Sequence, residues 1–93
     1  MSTVTMYSTP WCPYCVGARN LLNQLGVDYR EIRVDQDIAL RRQMMELSGR
    51  RTVPQIWIGA THVGGYTDLL GLQRSGKLDA LLETAGGHQP KKR

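Results

Sequence analysis

Apolar and polar positions recur with different periods along the chain, and each change of period marks an element. "TVTMYS", Thr3 to Ser8, is rich in β-branched and aromatic residues and predicts a short strand that Pro10 brings to an end. From Pro13 onward Val16, Ala18, Leu21, Leu22 and Leu25 recur at helical spacing, and Gly26 stands where that helix would stop. "DYREIRVD", Asp28 to Asp35, sets Tyr29, Ile32 and Val34 among charges and predicts a second strand. "IALRRQMMELSG" places Ile38, Leu40, Met44, Met45 and Leu47 near one face of a second helix, closed by Gly49. "QIWIG" and "THVGG" are short apolar runs joined at Gly59 and Ala60, a hairpin pattern. A third helix is predicted to start at the capping pair Thr67-Asp68 and to carry Leu69, Leu70 and Leu72; "LDALLETA" adds a final helical turn or two.

The order is therefore β-α-β-α-β-β-α. A strand, crossover helix and second strand imply a parallel pair, the hairpin adds antiparallel strands, and amphipathic helices cover both faces. The fold class is α/β, a four-stranded mixed sheet with helices on both sides. At 93 residues the chain is one domain with a modest core. Residues 1–84 are assigned to that domain and residues 85–93 to a basic tail without fixed structure.

Charge alters this picture little. The net charge is +4, but Lys91, Lys92 and Arg93 lie in the tail, and the remainder holds nine basic against eight acidic residues. A tail of this kind attracts polyanions weakly, so no specific nucleic-acid partner is expected. The first residues show no positive region followed by an apolar run, and no apolar stretch approaches the about 20 residues of a membrane span. A cytoplasmic location, no membrane contact and a monomeric state are expected.

The chemistry concentrates in "TPWCPYCVGARNLL", Thr9 to Leu22, which holds the only two cysteines, Cys12 and Cys15. Three residues apart on a helix, their Cβ atoms stand about 5–6 Å from each other, close to what a disulfide needs. Pro13 suits the first helical position because the amide it lacks would be unsatisfied there, so Cys12 falls at the N-cap and Cys15 in the first turn. A sulfur at a helix start meets unpaired N–H groups and the positive end of the helix dipole, both of which favour thiolate, the reactive species. A tetrahedral zinc site is short of ligands, since His62 and His88 are the only histidines and neither has metal spacing to the pair. Covalent haem attachment needs histidine where Val16 stands. A structural disulfide or two inert thiols remain open; in a reducing compartment, redox chemistry is the stronger reading.

"CPYC" after a strand, "TVP" at Thr52 to Pro54 and "GGYTD" at Gly64 to Asp68, in that order and spacing, resemble the glutaredoxins, and look most like their short bacterial dithiol, glutaredoxin 3-like type. The resemblance spans about Thr3 to Leu82. It implies the thioredoxin fold, disulfide reduction with glutathione as the reducing co-substrate, no bound cofactor or metal, and disulfide-containing or glutathionylated client proteins as partners. Cys12 matches the nucleophile and Cys15 the resolving thiol. Tyr14 matches the aromatic beside the glutathione groove, and Pro54 a cis-proline facing the cysteines. Val53, next to Thr52, would offer its backbone to the cysteine part of glutathione as an added strand does. Gly65, after Gly64, lets the chain pass close to the ligand, and Thr67 and Asp68 match the γ-glutamyl site. Arg51 and Arg41 match cationic positions for the glycine carboxylate. Thr9 stands where many relatives carry lysine, and Tyr66 where a small residue or cysteine is usual.

Two other functions are compatible with the same fold. A hydrogen donor reduced by a flavoprotein would lack the groove residues Thr67, Asp68 and Arg51. A glutathione-ligated iron–sulfur carrier generally has serine or glycine after the first cysteine, where this chain has the stiff Pro13. Of the remaining residues, Trp57, Met44 and Met45 read as packing groups, His62 as a surface residue, and Trp11 as an exposed ring that helps partners dock.

Overall fold

The computed structural model describes residues 4–86. Its elements are β1 (Val4–Ser8), α1 (Pro13–Gln24), β2 (Tyr29–Arg33), α2 (Ile38–Ser48), β3 (Gln55–Ile58), β4 (Thr61–Gly64), α3 (Tyr66–Ser75) and α4 (Lys77–Gly86). The strands form one sheet in the order β2-β1-β3-β4. β1 and β2 are parallel, with Val4 opposite Tyr29 and Ser8 opposite Arg33, because α1 returns the chain to the starting edge between them. β3 runs antiparallel to β1, Met6 opposite Ile56, and β4 completes the hairpin. The mixed sheet read from the sequence is the one observed.

Strand alternation splits the core in two. Val4, Met6, Ile56 and Ile58 face one side, where they meet Ala18 and Leu22 of α1, Leu69 of α3, and Leu78 and Leu82 of α4. Tyr7 faces the other side and packs with Val34 and with Met44 of α2, while the half-buried Trp57 sets its ring edge-on to Tyr7 at 5.3 Å. Each large side chain buried in this way contributes about 1.5–3 kcal/mol. The first cluster, with eleven buried residues against three among those described, therefore carries most of the stabilisation and holds α1 and α3 rigidly against the sheet.

The smaller cluster corrects one expectation. Only Met44 of α2 is buried, with Leu40 and Met45 partly so, while Ile38 and Leu47 are 74% and 57% exposed. The cluster under α2 is small, and those three side chains are the ones α2 contributes to it. Ile38 at the first helical position and Leu47 in the last turn extend beyond it. The helix ends follow the sequence: the Asp37 carboxylate accepts from the Leu40 amide at 3.1 Å, and the Gly49 amide donates to the Met45 carbonyl at 2.8 Å.

α3 begins one residue earlier than the Thr67-Asp68 pair predicted. Gly65 is its N-cap, and Asp68, three residues in, reaches back to accept from the Gly65 amide at 2.9 Å. α4 is longer than the predicted turn or two and runs to Gly86; the rest of the basic tail lies outside the described residues.

Candidate active site

Pro13 starts α1 and leaves Cys12 at the N-cap in extended conformation (φ −83°, ψ 122°), its carbonyl accepting from the Val16 amide at 3.0 Å. No side-chain bond caps this end, so the Cys12 sulfur stays available. It donates instead to the Val53 carbonyl, 3.6 Å away, on the loop that leads into β3. One turn on, Cys15 is fully buried. Burial pushes its thiol up to about 11; the Thr9 backbone N–H, donated to its sulfur, opposes this, and contact with Cys12 adds to it. Both thiols are free, Cys12 partly exposed and Cys15 buried.

Facing Cys12 is the segment Thr52, Val53 and Pro54, with a cis peptide bond between Val53 and Pro54. With Tyr14 of α1, Arg50 and the β4–α3 junction from Gly65 to Asp68, this segment encloses a cleft of about 320 Å³. Gly64 sits at the junction with φ 113°, and a Cβ there would overlap the Asp68 carboxylate, so this position takes only glycine. Asp68 Oδ2 accepts both the Gly65 amide and Arg50 Nη1, the latter at 3.2 Å. The Gly65 hydrogen bond, and after it Arg50, holds the Asp68 carboxyl below the usual carboxylate range. The cleft thus pairs a fixed anion, a cation, the amino end of a helix and the loop backbone of Thr52 to Pro54, which suits a zwitterionic peptide-like molecule.

Of the residues singled out in the sequence, Tyr14, Thr52, Val53, Pro54, Gly65, Thr67 and Asp68 all border this cleft, and Cys12 touches its edge through Val53. Arg51 and Arg41 stand apart from the lining: Arg51 is exposed, and Arg41 Nη2 donates to the Arg51 carbonyl at 3.3 Å. The cation in the cleft is Arg50, which sequence reasoning passed over. Nothing in the local sequence separates Arg50 from Arg51, because residues 50–54 form neither helix nor strand and so have no fixed side-chain period. Tyr66, noted only as a departure, also lines the cleft; its ring lies 6.5 Å from that of Tyr14. Trp11 is 72% exposed beside Cys12. His62 is half-buried rather than a surface residue, because the Trp57 ring covers it at 4.7 Å. Among the described residues no group of three His, Cys, Asp or Glu side chains is placed to hold a metal ion. No helix among them is long and apolar enough to cross a membrane.

A strand-to-helix cysteine pair opposite a cis-proline, on a β2-β1-β3-β4 sheet flanked by helices, defines a thiol oxidoreductase of the thioredoxin fold. Residues 4–63 match the family model for glutaredoxin, and the chain belongs to the glutaredoxin family. It is 55% identical over 82 residues to a glutaredoxin of Pseudomonas aeruginosa, covering 88% of this chain and 98% of that one. It is 46% identical over 83 residues to glutaredoxin 3 of Escherichia coli, covering 89% of this chain and all of that one. Among solved structures, a buckwheat glutaredoxin–glutathione complex superposes with a TM-score of 0.85 at 32% identity, over 94% of this chain and 82% of that one.

Proposed function

We propose that the protein is a glutathione-dependent thiol-disulfide oxidoreductase that reduces glutathione mixed disulfides and protein disulfides. The observation that carries this reading is the Cys12 sulfur, 3.6 Å from the Val53 carbonyl at the edge of the cleft that Arg50 and Asp68 charge. A solved relative in complex with glutathione supports the choice of ligand. In this reading the backbone of Val53 pairs with the central residue of glutathione, the start of α3 with Thr67 and Asp68 takes the γ-glutamyl end, and Arg50 stands near the carboxylates.

The Cys12 thiolate attacks the glutathione sulfur of a mixed disulfide. The client sulfur leaves as thiolate and takes up a proton, and Cys12 now carries glutathione. A second glutathione thiolate attacks the bound one, Cys12 leaves as thiolate, and one glutathione disulfide is formed for each client thiol restored. With a protein disulfide, Cys12 first forms a mixed disulfide with the client. Cys15 loses its proton and attacks the Cys12 sulfur, which releases the reduced client and leaves a Cys12–Cys15 disulfide that two glutathiones reduce. Action as a monomer in the cytoplasm, on client proteins whose disulfides reach an exposed Cys12, belongs to the same proposal.

The test separates the two sulfurs. Cys12→Ser abolishes turnover of both a glutathionylated peptide and a protein disulfide, measured with glutathione, glutathione reductase and NADPH. Cys15→Ser retains the first activity and loses most of the second, because an internal thiol outcompetes any external one at a trapped client. Loss of both activities in Cys15→Ser, or survival of either in Cys12→Ser, would refute the assignment. Turnover only when thioredoxin reductase replaces glutathione and its reductase would transfer the protein to the flavoprotein-reduced class.

A further inference from the structure

Gln55 is a fully buried polar side chain directly after the cis-proline, and its amide is satisfied on both sides. Nε2 donates to the Thr52 carbonyl at 3.0 Å and to Thr52 Oγ1 at 3.2 Å, while Oε1 lies 2.7 Å from Nε2 of His62 on β4. The Thr52 carbonyl only accepts, so the amide nitrogen faces Thr52 and the amide oxygen faces His62. The imidazole Nε2 must therefore carry a proton. His62 is clamped in turn by the Trp57 ring, and burial, with the charge of Arg50 acting in the same sense and Asp68 opposing it, lowers its pKa and holds it neutral.

The Thr52 carbonyl belongs to the same planar peptide unit as the Val53 amide, so fixing one direction fixes the other, opposite to it. We infer that His62 is a positioning residue for glutathione recognition: through Gln55 it orients the Thr52 carbonyl, and with it the Val53 N–H that meets the ligand. The inference rests on the proposed role of the Val53 backbone and adds to it the side-chain relay that aims that backbone. In this role His62 acts through Gln55 and needs no contact with glutathione. Without its donor, the buried Oε1 loses its partner, the amide is free to rotate or draw in water, and the 52–54 loop loses its fixed direction.

The experiment uses the intact protein and two replacements. His62→Phe keeps a flat ring against Trp57 and removes the donor. His62→Gln keeps an N–H at nearly the reach of Nε2. In the glutathione-coupled assay, His62→Phe raises the KM for glutathione about fivefold or more, an effect of the size expected for one buried unpaired acceptor. His62→Gln restores the KM to within about twofold of the parent. A KM in His62→Phe within about twofold of the parent, or an equal loss in His62→Gln, overturns the relay. Should His62→Phe not fold, the ¹⁵N shifts of the parent imidazole decide: a proton on Nε2 supports the relay and a proton on Nδ1 overturns it. Absence of any glutathione turnover by the parent would overturn the functional reading itself, whereas normal turnover with an indifferent His62→Phe overturns only the inference.

Discussion

With its sulfur buried and its pKa pushed up to about 11, Cys15 is a protonated thiol at neutral pH. Burial is the main cause, and two lesser ones come from Cys12, by hydrogen bond and by charge. Both vanish once Cys12 enters a disulfide. Under the proposed function, Cys15 then becomes more acidic at the step in which it attacks. The same shift bears on stability. The folded protein holds the Cys15 proton more tightly than the unfolded chain, whose thiol titrates near 9.0, so this contribution is complete below pH 9.0 and is lost as pH rises through about 11. Urea unfolding of the reduced protein across that interval shows a fall in stability that is shallower in Cys15→Ala. Parallel alkaline slopes in the two proteins would contradict the buried, protonated state.

At the scale of elements, the seam between α1 and α3 is where packing meets the cleft. A Cβ added at Gly17 would lie 3.0–3.2 Å from three atoms of the Tyr66 ring, so the ring rests on bare backbone of α1. Glycine inside a helix costs about 1 kcal/mol relative to alanine, and here that cost accompanies the close approach of an aromatic ring that also lines the cleft. Gly17→Ala alone therefore lowers the melting temperature and changes the KM for glutathione, because a rigid ring must move. Tyr66→Ser removes the obstacle; in that background Gly17→Ala becomes stabilising by about 0.5–1 kcal/mol. Thermal melts of the four proteins measure the coupling, and strictly additive effects would show that the ring does not rest on α1.

Across the whole molecule, one polar knot ties α1 to the two parallel strands. Arg19 Nη2 donates to Glu31 Oε2 on β2 at 2.6 Å, its Nε shares the same carboxylate, and the buried Ser8 hydroxyl at the end of β1 donates to it as well. Burial resists ionisation of Glu31, but the hydrogen bonds from Arg19 and Ser8 outweigh it and hold the carboxyl below its ordinary 4.5. The stabilisation is complete above pH 4.5 and is lost as pH falls through the depressed value. Glu31→Gln costs about 1–2 kcal/mol at neutral pH and makes the acid limb of the stability curve shallower. Chemical denaturation over the acid range tests this; an acid limb as steep as that of the parent would remove Glu31 from the account.

Local chemistry made several parts of this protein legible without coordinates. Pro13 lacks an amide and so starts α1, which makes Cys12 an N-cap and puts Cys15 one turn inside. The short apolar runs and their glycine breaks were enough to order the strands and helices, since period and turn residues are properties of neighbours in sequence. What needed the fold were choices between adjacent candidates and contacts across elements. Whether Arg50 or Arg51 enters the cleft depends on how the chain leaves α2, and only the approach of α3 pairs Arg50 with Asp68. Ile38 and Leu47 fit a helical stripe, yet both stay exposed, outside the small cluster that α2 covers. The bond between His62 and Gln55 crosses the β3–β4 pair at a register shifted near Ile56 and Trp57, and a sequence pattern carries no information about which side chains such a shift brings together.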